Sequence, residues 1–195
     1  MLLVLCAVLA FGQDIPADLL AAPAVNSQLF RPSVDARHSL WTDDAGSRRD
    51  GWFGGARLGA NYVNDPFLVH WEDEGAVRTG RIVSDAVTSS LLGHIGYDRV
   101  RLGAHIPVYL FSASQVSDGG AGLGDMELDL RVNLLDRFRH PLGLAITGRS
   151  QFPTSTVEAA LRAPKTGWEL GLAADRPLGP VLLAANVGTR GVPRE

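Results

Sequence analysis

A few groups of residues have the types and spacing to do chemistry. Gly120-Ala-Gly122-Leu-Gly124 has the glycine density of a phosphate-cradling loop. Such a loop needs a helix N-terminus behind it, and the residues that follow alternate with period two instead. The plain reading is a flexible loop. His94 and His105 fall on one face of neighbouring segments and stand diagonally to each other, which is the beginning of a metal site. No third ligand is evident, so the expectation for both is a structural, surface-lining role. Asp43-Asp44 and Glu72-Asp73-Glu74 could offer carboxylates to calcium, but read as solvated acidic loops. Ser150 lacks the strand-turn-helix elbow of a nucleophilic serine, and no sequence cue completes a Ser-His-Asp set. These residues imply no enzyme, no cofactor and no metal.

The elements that would position them are strands. From Gly51 onward the dominant period is two. Met126, Leu128, Leu130, Val132 and Leu134 share one face, while Glu127, Asp129, Arg131 and Asn133 share the other. A helix would scatter those charges around its axis. Val100 to Phe111 repeats the pattern, with Pro107 implying a bulge or a strand end because it removes a ladder donor. Val87, Leu91, Ile95 and Tyr97 alternate with Thr88, Ser90, His94 and Gly96. Further strands are expected at 55–63, around 142–151, 168–175 and 181–190, with 76–83 as part of another or a hairpin in a long loop. A two-residue turn at Asp98-Arg99 would pair Tyr97 with Val100, Ile95 with Leu102 and Leu91 with Ile106, keeping apolar residues together. It also sets Gly96 opposite Arg101 and Gly103 opposite His94. Connections alternate between short (98–99, 136–141, 176–179) and long (115–122, 153–165). That rhythm predicts an all-β, antiparallel up-and-down barrel with two distinct ends.

Composition narrows the partners. Lys+Arg 18 against Asp+Glu 21 gives a net charge of −3, with no basic cluster, so no nucleic acid is expected. Hydrophobic residues at 46% argue against wholesale disorder. No internal run approaches the ~18 apolar residues of a spanning helix. Residues 1–12 read as a secretory signal: an apolar stretch from Met1 to Phe11, with Ala10 and Gly12 placed for a cut before Gln13. The sole cysteine, Cys6, lies inside it, so the mature chain would suit an oxidising compartment. Residues 13–50 form a lead-in segment and 51–195 the barrel region.

Alternation leaves open which face is buried. A soluble β-sandwich binding module, secreted or periplasmic, turns its apolar face inward; a membrane barrel turns it to lipid. Strand lengths near the ~9–11 residues needed to cross tilted favour the membrane. So do Tyr62, Tyr97 and Trp168, which lie on the apolar parity near strand ends, where interfacial aromatics belong. The polar parity then lines a lumen with Arg57, His94, Arg101, His105, Glu127, Asp129, Arg131, Arg149 and Glu169. Both signs are present, so these groups can pair across a narrow lumen or stay solvated in a wide one. Lipid is the expected partner, with small solutes or ions next.

Gln28-Leu-Phe-Arg-Pro-Ser-Val-Asp35, followed by Leu40-Trp-Thr-Asp-Asp-Ala-Gly46, resembles the start of the barrel region in a group of OmpA family outer membrane proteins of Gram-negative bacteria. Gly122-Leu-Gly-Asp125 opening a strand and Phe152-Pro-Thr154 closing one are similar to hairpin segments of those proteins and of related outer-membrane channel families. The resemblance runs from about Asn26 to Gly191. It implies an outer-membrane location and a non-enzymatic, structural or porin-like barrel. Family members typically continue into more strands and a peptidoglycan-binding periplasmic domain, and nothing here matches that domain. About seven strands do not make an even-numbered barrel, so a truncated product or fragment is expected.

Overall fold

The computed structural model describes residues 32–34, 42–43, 45–46, 49–73, 76–113, 120–157 and 165–191. Every regular element among them is a strand: β1 (Arg49–Asp73), β2 (Ala76–Asp98), β3 (Val100–Ala113), β4 (Gly122–Leu123), β5 (Met126–Leu135), β6 (Gly143–Phe152), β7 (Gly167–Leu178) and β8 (Val181–Gly191). Seven of them follow one another through an antiparallel sheet, β1-β2-β3-β5-β6-β7-β8, and the short β4 pairs with β3. The sheet curls into a half-barrel, the shape of an incomplete up-and-down barrel. The proposed secretory segment lies outside the described residues.

The central register follows the alternation. Tyr97 stands opposite Val100, Ile95 opposite Leu102, Leu91 opposite Ile106, Gly96 opposite Arg101 and Gly103 opposite His94. Asp98 takes a left-handed φ of 50° at the turn. Aspartate tolerates that conformation better than most residues.

Several details depart from the sequence expectation. The first strand does not end at Val63 but runs to Asp73, and 76–83 belong to β2. A register shift between Asn64 and Phe67 accommodates the extra residues around Pro66. Pro107 does not end β3, which continues to Ala113. The ladder on one side breaks there instead: pairing with β5 stops at His105, and pairing with β4 resumes at Val108. A second shift, at Val87/Thr88, inserts Leu110, so Phe111 turns outward although strict alternation puts it with the polar residues. The last short turn is tighter than 176–179, because Leu178 already pairs with Val181 around Gly179-Pro180.

The two faces of the sheet differ in an unusual sense. On the concave face charged and polar residues are buried: Thr88, Ser90, Arg101, His105, Glu127, Asp129, Arg131, Asn133 and Asp175. On the convex face Leu58, Ile95, Leu102, Leu128, Leu130, Leu170 and Val187 are exposed. The buried apolar cluster is small, centred on Ala86, Tyr109 and Val157 under the long-loop end.

Candidate functional site

Among the described residues, titratable side chains converge on the concave face. Period-two alternation on β3, β5 and β6 points every second residue inward, and cross-strand pairing stacks them into rows. Arg101 on β3 reaches diagonally to Asp129 on β5, which stands opposite Gly103, and their side chains are only 1% and 2% exposed. Arg149 on β6 adds a contact of 3.9 Å to the same carboxylate and one of 3.6 Å to Asp43. A buried charge is costly unless compensated, and here each sign has a neighbour of the other. Nearer the short turns, Asp175 accepts from Arg137 Nη1 at 2.9 Å.

A second row joins three strands. His105 Nε2 lies 3.1 Å from Ser90 Oγ on β2, and His105 Nδ1 lies 3.4 Å from Glu127 Oε2 on β5. Hydroxyl, imidazole and carboxylate in this order have the reach of a nucleophile, base and orienting acid. Ser90 and Glu127 are each 2% exposed and His105 is fully buried, so no substrate reaches the hydroxyl as the chain stands. Ser90 also faces Pro107, which has no N–H to offer an oxyanion. The arrangement works as a buried hydrogen-bond network.

The described lead-in residues, 32–34, 42–43 and 45–46, lie against these side chains. Arg57 Nη2 on β1 donates to the Ser33 carbonyl at 2.7 Å. Asp43 accepts from the Ser33 hydroxyl. Asn133 Nδ2 on β5 donates to the carbonyls of Ala45 (3.0 Å) and Gly46 (3.2 Å). The Ala45 amide donates to Asp175 Oδ2 at 2.9 Å, and Asn186 on β8 donates to the Asp43 carbonyl at 2.8 Å. Gly46 sits at φ 70° so close to Arg131 that a Cβ there would come within 2.7 Å of Nη2. Beside Asp43 a polar cavity of about 420 Å³ opens among Thr147, Arg149, Glu169, Asn186 and Arg190.

The predicted inward residues can be placed one by one. Arg101, His105, Glu127, Asp129, Arg131 and Arg149 gather on the concave face. Arg57 reaches Ser33 of the lead-in, Glu169 lines the cavity, and His94 lies beside the Phe53 ring, 6.4 Å between centroids. The His94–His105 metal reading finds no support: among the described residues no three His, Cys, Asp or Glu group around a possible ion. Tyr62, Tyr97 and Trp168 all lie exposed on the convex face, Tyr97 edge-on to Trp52 at 5.3 Å. Ser90, Asn133 and Asp175 were within reach of the same parity argument. Asp43 was not, because the lead-in has no period to read. Compared with known proteins, the chain matches no family model, no curated protein and no solved structure.

Proposed function

We propose that this chain is a non-enzymatic outer-membrane β-barrel region, structural or channel-like, of the kind the OmpA family resemblance implies, in a Gram-negative bacterium. One observation carries the reading: the polar side of the sheet is the buried side, and the apolar side is exposed. In water such a face forgoes ~25 cal/mol for every Å² of apolar surface left wet. Against lipid the same face is the stable one. Among the described residues no second sheet covers it, as a sandwich requires.

The aromatics support the same reading. Trp52 and Tyr97 mark one end of the exposed apolar face, and Tyr62, Phe111 and Trp168 the other. From Tyr97 to Val87, which pairs with Tyr62, the strand rises roughly 33 Å at ~3.3 Å per residue. A tilt of ~40° reduces that to roughly 25 Å, the height of a barrel's apolar band.

The test places a probe on each face of β5. In chains that resist carbonate extraction from membranes, a fluorophore at Leu130→Cys is strongly quenched by a membrane-partitioning quencher, and one at Arg131→Cys is not. Release by carbonate, or quenching at neither position, overturns the barrel in favour of a periplasmic sandwich.

A further inference from the structure

The lead-in pieces at 32–34, 42–43 and 45–46 precede the sheet in sequence, yet 32–34 and 45–46 are buried and 42–43 half-buried. Ser33, Val34 and Ala45 are almost wholly buried on the concave face. They are not fastened at one point. Their partners are Arg57 on β1, Asn133 on β5, Arg149 on β6, Asp175 on β7 and Asn186 on β8, so the contacts cross the whole arc of the sheet. The groups they occupy are the inward-pointing ones that water would hydrate in an open pore. Backbone carbonyls of Ser33, Asp43, Ala45 and Gly46 take up side-chain donors, while the Ala45 amide and Asp43 carboxylate answer Asp175 and Arg149. The sheet also leaves room for the segment: a Cβ at Gly103 would come within 2.7 Å of Val34 Cγ1.

We propose that these residues form an internal strap that covers the concave face and, where that face closes into a lumen, plugs it against hydrated ions and small polar solutes. The proposal rests on the barrel reading, and it decides between the two forms that reading leaves open: closed at rest, and conductive only when the strap leaves. A cavity opens in the packing beside Asp43. Asp43 lines that cavity and contacts Arg149, and Asn133 holds the carbonyls of Ala45 and Gly46, so loss of these two side chains should loosen the seal.

The test uses the full chain with Cys6→Ser, in vesicles of phosphatidylethanolamine and phosphatidylglycerol. Val34 Cβ lies 3.3 Å from the Cβ position of Gly103, close to the separation a disulfide takes. Val34→Cys with Gly103→Cys should close a disulfide within the chain under mild oxidation. Val34→Cys with Leu102→Cys, whose second position lies on the convex face, should not. Equal yields from the two pairs overturn the seating of the strap.

Asp43→Ala/Asn133→Ala is then added to the Val34→Cys/Gly103→Cys chain, and entry of a small sugar is followed by vesicle swelling. Oxidised vesicles should swell no faster than protein-free ones, and reduction should raise the rate about tenfold. The parent chain, without these substitutions, should stay near the protein-free rate. Chains that float with the vesicles but swell alike in both redox states overturn the plug and leave the barrel standing. Chains that do not float overturn the barrel reading, and the plug with it.

Discussion

Strands β5 and β8 carry the same alternation and meet different surroundings. In β5 the buried Glu127, Asp129, Arg131 and Asn133 alternate with exposed Leu128, Leu130 and Leu134. In β8 nearly every residue is exposed on either parity, Asn186 and Arg190 as well as Leu183 and Val187. The difference is one of neighbours. β5 has a strand on each side and the strap above it, whereas β8 pairs only with β7 among the described residues and meets the strap at Asn186. Period two sorts residues onto two faces; burial of the polar face needs something to stand over it.

The comparison can be broken most sharply at the ion pairs. Asp129→Ala removes a buried carboxylate from beside Arg101 and should cost about 3–5 kcal/mol, against within ~0.5 kcal/mol for Arg190→Ala on β8. Denaturant titration of both variants measures it, and equal midpoints would remove the distinction. Next in size is the facing of β5. Leu130→Arg should cost about 2–4 kcal/mol of insertion into bilayers, and Arg131→Leu much less. The yield of vesicle-inserted chain is the readout, and parity between the two contradicts a lipid-facing Leu130. A smaller contrast sets Asn133 against Asn186. Asn133→Ala unsatisfies the carbonyls of Ala45 and Gly46 and should cost about 1–3 kcal/mol, while the exposed Asn186→Ala should cost under ~1 kcal/mol.

The smallest effect concerns the two ends. The long loops 115–122 and 153–165 should face the cell exterior and the short turns the periplasm. Protease added to intact cells should cut in the long loops, and cleavage confined to 98–99 or 137–140 reverses the orientation. The start of the second loop is pinned, since the Ser155 amide donates to Asp125 Oδ1 at 3.0 Å and the Thr156 amide to the Leu123 carbonyl at 3.0 Å. Asp125→Ala should therefore speed cutting at 153–157 several-fold, with little change in midpoint. An unchanged rate means the loop is held by something other than Asp125.

Much of the sheet was legible in the chain because period two and turn chemistry agree there. Tyr97-Asp98-Arg99-Val100 fixes a register that the structure reproduces pair by pair. The extent of β1 was not, since Asn64-Asp65-Pro66 has the composition of a turn. The structure absorbs it as an irregularity in a paired strand, which tertiary pairing permits and local propensity does not announce. Phe111 misleads for a related reason: one inserted residue reverses every later side chain. The inward residues of β3, β5 and β6 could be read from parity alone. Their partners in the lead-in could not, because the sequence around Asp43 has no repeat and the acidic pair Asp43-Asp44 reads as solvated.

The strap also sets an order of events in time. Each hairpin of the meander joins residues close in sequence, so the sheet can zip from turn to turn. Apart from the Arg57–Ser33 contact, 24 positions apart, the strap's hydrogen bonds to β5, β7 and β8 join residues 88, 130 and 143 positions apart. Closing such loops costs conformational entropy that grows with their length, and nothing offsets it until β5, β7 and β8 are already in place. Residues that precede the sheet in sequence thus settle after it. Until they do, the half-barrel carries its buried charges open to water, and the final step of assembly is the one that dries them.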